Sequence, residues 1–594
     1  MSVIQNVPFT NVNIQDAFFT PKINTLCRVT IQACLAKCLD TGRIANFEKA
    51  AGLKKGDFEG IFYNDSDVYK VLEGVAYVLT HTKDQALEAQ ADEIIASIAA
   101  AQQSDGYIQT YFTLVKPDEK WTDMNMHEDY CIGHLIEAGI AYKQATGKTK
   151  LYEVGRRAAD LICEKFGPDK EHWVPGHQEI ELALVKLYEE TRDSKYLDMA
   201  EFLLEERGKG FGRGYSWDRQ GWGAIYNQDH ETVKSMKDAK GHAVRALYMY
   251  SGMTDVAGKK NNRDYLKAVH RLWDSVVNRN MYITGGVGSS KENEGFTEDY
   301  DLPNLTAYCE TCASIAMVYW NHRLNTMHGD ARYADIIEKE IYNGILSGIS
   351  LSGDKFFYDN PLESIGEHHR VEWFNCSCCP TQLSRFIPSV GNYIYAADEQ
   401  GIYVNQYIAN VSTVKVGERE IPISIDGQYP FGGKLDITLS PETDTTLALR
   451  VRKPGWCRSF KLSLNGRPTN CYRLIKGYLV LERQWQKGDC LSVEWEMTVE
   501  EITADPHIID AIGKVALQKG PVVYCFEEAD NPAFEQVVLS DGNVYGTHFR
   551  KDLLGGIDVI TVSSGQSRFI AVPYFAWDNR QGGAMKVWVD KRND

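Results

Sequence analysis

The stretch 133–167, GHLIEAGIAYKQATGKTKLYEVGRRAADLICEKFG, reads as Gly-His, an apolar helix, a polar turn and a second, amphipathic helix. The pattern returns in 176–208, GHQEIELALVKLYEETRDSKYLDMAEFLLEERG, and in 241–277, GHAVRALYMYSGMTDVAGKKNNRDYLKAVHRLWDSVV. Residues 310–346 keep the rhythm with Glu310-Thr311 in place of Gly-His, and an earlier unit begins at Val68. Helical periodicity dominates from about residue 23 to 350. Hairpins of this kind cannot each bury an apolar face alone, so they must stack on their neighbours. Eleven or twelve helices in repeated pairs predict a closed ring, an (α/α)6 barrel, with an open solenoid as the alternative. In a ring the inner helices run the same way and their starts converge on one mouth. His134, His177, His242 and the surroundings of Glu310 are then expected to face a common cavity.

After about residue 400 the period changes to two. Segments such as KLDITLS, TTLALRVRKPGW and CLSVEWEM alternate in polarity and are punctuated by Gly, Pro, Asn and Asp. The expected architecture is therefore a helical barrel over 1–400, a β-sandwich over 401–500 and a second β-rich region over 501–594, its last strand returning to the first sandwich. No long linker separates the parts, so the β portion is expected to pack directly on the helices.

Bulk composition narrows the function. The chain has 594 residues, too many for one core, with 43% hydrophobic and 24% charged residues, as in ordinary soluble proteins. Acids outnumber bases by 81 to 64, a net charge of -17 with no basic block, which argues against nucleic acid as a partner. No apolar run approaches the ~18 residues of a membrane span. The opening, MSVIQNVPFTNVNIQDAFF, lacks the basic-then-apolar order of a secretory signal. With 14 unevenly spaced cysteines, a reducing cytoplasm is the expected compartment, where a dense cysteine cluster speaks for metal binding or catalysis. An aromatic content of 11% suits sugar stacking, and large cores account for it equally well.

Two such clusters stand out: YCETC at 308–312 and WFNCSCCP at 373–380. Cys309, Glu310, Cys312, Cys376, Cys378 and Cys379 are six candidates for a four-coordinate zinc site. A helix through 308–312 would put Cys309 and Cys312 on one face, favouring an all-thiolate clip. Glu310 and Cys312 serve instead if this segment is still a turn. Adjacent Cys378 and Cys379 call for an irregular backbone, which Pro380 helps impose. An iron–sulfur cluster lacks its C-x2-C-x2-C run.

These segments, with GGVGSSKENEGFTEDYDLPN, IEKEIYNGILSGISLSG and RVRKPGWC, resemble the β-L-arabinofuranosidase family of glycoside hydrolases, family 127, over nearly the whole chain. The resemblance implies an (α/α)6 barrel followed by β-sandwich domains and hydrolysis of glycosides with retention. It implies zinc held by Glu310, Cys312, Cys378 and Cys379, with Cys378 as nucleophile and Glu294 as general acid/base. Sugar contacts would come from His127, His177, His242, Glu338 and Tyr358, with His127 ranked above His134, and Cys309 and Cys376 as bystanders.

The chemistry is coherent. Retention needs a nucleophile on one face of the sugar and a proton donor beside the leaving oxygen. A sulfur nucleophile must be a thiolate, which a coordinating zinc secures. Anionic ligands near Glu294 would raise its pKa, as an acid requires. The expected substrate is a small oligosaccharide or glycoside ending in β-L-arabinofuranose. The alternatives are another pentose, an unusual acidic sugar, or a non-catalytic sugar-binding protein with structural zinc. A homodimer is left open.

Overall fold

A helix that is apolar on every side must be buried, while one with a single apolar stripe lies outside it. The helical repeats divide in this way in a computed structural model that describes residues 4–580 and 582–592. Twelve helices form six pairs: α1 (Ile31–Asp40), α2 (Asp65–Thr82), α3 (Gln85–Ala101), α4 (Glu128–Thr146), α5 (Lys150–Lys165), α6 (Ile180–Thr191), α7 (Ser194–Glu205), α8 (Ala243–Lys260), α9 (Arg263–Arg279), α10 (Thr311–His328), α11 (Ala331–Lys339) and α12 (Cys378–Phe386). The even-numbered helices are the buried ones; every residue of α4 from Glu128 to Tyr142 is inside. α2 packs on α4, α4 on α6, α6 on α8, α8 on α10, α10 on α12, and α12 on α2.

Each repeat turns sharply between its two helices. α2, α4, α6, α8 and α10 are followed by one left-handed residue, respectively Lys83, Gly147, Arg192, Asn261 and Gly329. Left-handed residues at this position close the last turn of a helix and let the chain reverse. Four outer helices then start on an Asp or Asn side-chain cap: Asp84, Asp193, Asn262 and Asp330. Five of the six inner helices start differently. Asn64, His127, Glu179, Glu310 and Ser377 precede α2, α4, α6, α10 and α12 without capping them through their side chains.

The β part comprises three sheets. A six-stranded sheet built on Thr445–Arg452 and Tyr478–Trp485 takes Gln5–Asn6 at one edge. A seven-stranded sheet built on Arg419–Gly427, Lys434–Leu439 and Asp489–Trp495 takes Val12–Ile14. Alternation is clear in Asn410–Val416, where every second residue is buried. The third sheet gathers the strands after 498 and borrows Glu363–Ser364 from the helical part. Its final strand, Val589–Lys591, pairs with Lys514–Lys519 and Val538–Leu539 and does not return to the first two sheets. The N-terminal strands make that return instead, because residues 5–14 run from the edge of one sheet to the edge of the other.

Candidate active site

The inner helix starts carry the chemistry. Exposed N–H groups and the positive ends of helix dipoles favour anionic groups there. Across one side runs a row of rings: Tyr63 stacks on His127 at 4.5 Å, His127 lies 5.5 Å from His177, and His177 lies 5.5 Å from His242. Burial first, then Arg245, lowers the pKa of His127 to about 3, and burial likewise depresses His177 and His242. All three rings are neutral at pH 7 and offer hydrogen bonds without charge.

Glu294 reaches this row through a short antiparallel pair in which Gly241–His242 meets Gly295–Phe296. A Cβ on Gly295 would overlap the Gly241 carbonyl, so the approach needs glycine there. Glu294 itself is left-handed, with φ of 50°, a conformation that non-glycine residues hold only where the surroundings impose it. Its Oε2 lies 2.7 Å from the Tyr226 hydroxyl and 3.3 Å from His242 Nε2, and its side chain stays 33% exposed. The Tyr226 ring is stacked on Trp222 at 3.9 Å and covered by the Arg245 guanidinium at 4.6 Å. Burial raises the Glu294 pKa, but the His242 and Tyr226 hydrogen bonds outweigh it, and the carboxyl sits below the usual range. The raised value expected from anionic neighbours is thus reversed, because two donors converge on one oxygen.

Near this row lies the sulfur cluster, with Tyr63 reaching Cys376 and the Glu294 charge acting on Glu310. Glu310 is the extended residue before α10 and Cys312 the second residue within it, so the 308–312 segment is a turn running into a helix. Cys378 and Cys379 open α12 and are helical, not irregular; Pro380 fits the first turn, where its missing N–H costs nothing. Cys378 Sγ is 3.5 Å from Glu310 Oε1 and 3.9 Å from Cys379 Sγ; Cys379 Sγ is 3.7 Å from Glu310 Oε1 and 3.4 Å from Cys312 Sγ. Metal–sulfur bonds of about 2.3 Å and metal–oxygen bonds of about 2.0 Å in a tetrahedron place sulfurs about 3.8 Å apart and sulfur about 3.5 Å from oxygen. The four ligand atoms lie within 4.8 Å of one another, and Glu310 Oε2 is buried without a hydrogen-bond partner. Burial, followed by Cys378, pushes the Glu310 carboxyl well up. Four acidic groups this close cannot all ionise unless a cation neutralises them. The donor set therefore fits a thiophilic divalent metal.

Cys378 differs from its companions. Glu310, Cys312 and Cys379 are 2%, 2% and 0% exposed, whereas Cys378 is only half-buried. The Tyr358 hydroxyl approaches its Sγ at 3.0 Å. Tyr358 is held there because its carbonyl accepts the Thr311 N–H at the start of α10, at 2.9 Å. Cys309, also left-handed, is buried beside Gly286 and outside the ligand set, and Cys376 Sγ lies 3.8 Å from Cys378 Sγ.

Two expected positions are not brought to this pocket. His134 lies six residues into α4, nearly two turns below His127, fully buried, with Nδ1 3.2 Å from a Glu179 oxygen. The Gly-His repeat is out of register in this unit, because relative to its Gly-His pair α4 begins seven residues earlier than α8 and nine earlier than α6. Glu338 is the larger correction. It sits on α11, pairs with Arg452, and accepts hydrogen bonds from Tyr429 and, at 2.9 Å, from Trp456. It fastens the helical part to the first two sheets and touches no residue of the pocket described above.

Sequence reasoning missed Tyr226, Arg245 and Arg43. Arg43 is 3% exposed, pairs with Asp67 at 2.9 Å, and donates to the Asn375 carbonyl at 2.9 Å, pinning the loop before Cys378. None carries a local signal, since the contacts that place them are made across the fold: Arg43 to Asp67 and Asn375, Tyr226 to Glu294, and Arg245 to the Gly176 carbonyl.

A half-buried sulfur and a hydrogen-bonded carboxyl beside one cluster of acidic groups are side chains that can serve in cleaving an acetal. The comparisons agree with this chemistry. The model of the β-L-arabinofuranosidase GH127 catalytic domain matches residues 11–392, that of the GH127 middle domain 401–497, and that of the family 127 C-terminal domain 499–590. The chain is 36% identical to the non-reducing end β-L-arabinofuranosidase of Bifidobacterium longum subsp. longum, with 92% of each covered. It superposes with a TM-score of 0.94 on a GH127 β-L-arabinofuranosidase from Geobacillus stearothermophilus T6, at 40% identity over 98% of this chain and 100% of that one. A second solved GH127 β-arabinofuranosidase gives 0.93, at 37% identity over 99% and 98%. The chain belongs to glycoside hydrolase family 127 and is a glycoside hydrolase acting on a carbohydrate substrate.

Proposed function

We propose that the enzyme is an exo-acting, retaining β-L-arabinofuranosidase with Cys378 as nucleophile and Glu294 as acid/base. The observation that carries this reading is the half-burial of Cys378 in an otherwise closed ligand set, with the Glu294 carboxylate close enough to that set for its charge to raise the pKa of Glu310. A purely structural clip would bury all four ligands alike. The glycone is taken from the relatives named above. We read the cycle of inner helices as an (α/α)6 barrel and the first two sheets, whose apolar faces share one core, as a β-sandwich.

Glu310, Cys312, Cys378 and Cys379 would hold zinc, which when bound keeps the Cys378 sulfur as a thiolate at neutral pH. The Cys378 sulfur attacks the anomeric carbon while Glu294 protonates the departing oxygen. Glu294, now ionised, takes a proton from water as it displaces the sulfur with a second inversion. Tyr358 orients the sulfur at 3.0 Å, and His127, His177 and His242 present neutral donors and acceptors to sugar hydroxyls. Among the described residues no helix is long and apolar enough to cross a membrane, and all 14 cysteines are free, which suits a cytoplasmic enzyme working on small glycosides.

Replacing Cys378 by Ala should cut turnover of p-nitrophenyl β-L-arabinofuranoside by more than about 10³-fold with the fold intact. Near-normal turnover excludes the nucleophile. If the unaltered enzyme ignores this glycoside but cleaves another in an aryl glycoside panel, the glycone assignment falls and the site assignment stands.

A further inference from the structure

Cys376 is a further thiol at the pocket, and no step above uses it. Its Sγ lies 3.8 Å from Cys378 Sγ and 3.5 Å from the Tyr358 hydroxyl. Cysteines two apart in a regular helix point to different sides. Here Ser377, with φ -99° and ψ 28°, is a non-helical joint ahead of α12 that turns the two sulfurs toward each other. A disulfide needs a sulfur separation of about 2.0 Å, within reach of side-chain rotation from this starting point. The nearer pair, Cys312 and Cys379 at 3.4 Å, is 2% and 0% exposed, while Cys376 and Cys378 are both half-buried and accessible to a small oxidant.

We infer that Cys376 is a resolving thiol, so that a peroxide converts Cys376 and Cys378 into a reversible disulfide that switches the enzyme off. This rests on Cys378 being the reactive sulfur, as in the reading above, and not on which sugar it attacks. The Cys378 thiolate attacks one peroxide oxygen, the O–O bond breaks, and the displaced hydroxide takes a proton from solvent and leaves as water. The Cys376 sulfur then attacks the resulting S–OH sulfur; the S–S bond forms, the S–O bond breaks, and the Cys376 proton leaves with hydroxide as a second water. One thiolate, one thiol, one solvent proton and one hydrogen peroxide thus give one disulfide and two waters. The bridge occupies the nucleophile, removes one of four ligands, and stops oxidation short of the irreversible sulfinic acid.

The test treats metal-loaded protein with dilute hydrogen peroxide, caps free thiols, maps peptides by mass spectrometry, and follows released metal with a chromogenic chelator. The peptide spanning 376–378 should become about 2 Da lighter than its reduced form, with metal released in step, and dithiothreitol should restore it. In Cys376→Ser, which lies outside the ligand set and should keep its metal, the same peptide should gain oxygen that dithiothreitol does not remove. Equal oxygen addition at Cys378 in both proteins, or a bridge mapping to Cys312 and Cys379, overturns the inference. Iodoacetamide labelling of the reduced protein separates the two readings. A Cys378 that labels readily but never bridges sinks only this inference, and one that resists labelling sinks the nucleophile assignment with it.

Discussion

At the scale of the residue, His242 shows how a helix end places a proton. Its Nδ1 accepts the amide N–H of Val244 at 3.1 Å and of Arg245 at 3.4 Å, which caps α8. The ring is neutral, so its one proton is on Nε2, the atom 3.3 Å from Glu294. Tyr226 supplies the second donor, and both favour the ionised carboxyl. In the free enzyme this carboxyl is ionised at neutral pH, so bound substrate must raise its pKa before it can protonate the departing oxygen, and kcat falls as pH rises through that raised pKa. Tyr226→Phe removes a stabiliser of the anion and raises that pKa. The alkaline limb of the kcat profile, which reports the enzyme–substrate complex, should therefore move upward by about one pH unit, the worth of a hydrogen bond to a charged group. A profile that only shrinks in height would assign Tyr226 to packing. Glu294→Gln should slow a methyl glycoside by about 10²–10⁴-fold and an activated aryl glycoside far less in its first step; equal slowing would point to another acid.

At the scale of the element, α12 is the part that must not move, because Cys378 and Cys379, two of the four proposed metal ligands, open it. Arg385, nearly two turns further on, donates to Glu73 on α2 at 2.6 Å and Glu137 on α4 at 2.7 Å. Gly74 lets α2 approach so closely that a Cβ there would sit 2.5 Å from the Ser384 carbonyl. Ahead of the helix, Arg43 joins Asp67 to the Asn375 carbonyl with separate guanidinium nitrogens. Arg43→Lys keeps the charge against Asp67 but cannot span both partners. Metal affinity, measured by competition with a chelator, should fall about 10–100-fold, as for other supports of metal ligands, with helix content unchanged. Unchanged affinity would show that the loop holds its place without Arg43.

At the scale of the whole molecule, the β domains brace the helices. Glu338 on α11 and Arg452 on a sheet strand are 1% and 0% exposed, with Asp335 beside them at 2.6 Å from Arg452. Asn343 donates to the Pro521 carbonyl at 2.9 Å and accepts the Val523 N–H at 2.8 Å, tying the third sheet on. Removing one partner of a buried ion pair strands the other. Glu338→Gln should thus destabilise the protein by the low end of about 3–5 kcal/mol, since Asp335 remains. It should lower Tm while leaving KM unchanged; a raised KM with Tm unchanged would return Glu338 to the sugar site.

The legible part of this protein was whatever is periodic or contiguous. The 3.6-residue rhythm marked out the helix pairs, the change to period two marked the β part, and ETC with CCP marked the cluster of Glu310, Cys312, Cys378 and Cys379 that could hold a metal ion. These signals survive in one dimension because a helix, a turn or an adjacent ligand pair is set by neighbouring residues. What the chain order could not convey was register and partnership. His134 mimics the Gly-His repeat yet lies well inside α4; Glu338 looks like any charge on an amphipathic helix until Arg452 is found across the domain boundary. Tyr226 meets Glu294 across 68 residues, and the N-terminal strands pair with sheets almost 400 residues away. Only packing in three dimensions decides such contacts, because each depends on where several helices and sheets stop one another, and no local energy in the chain records that.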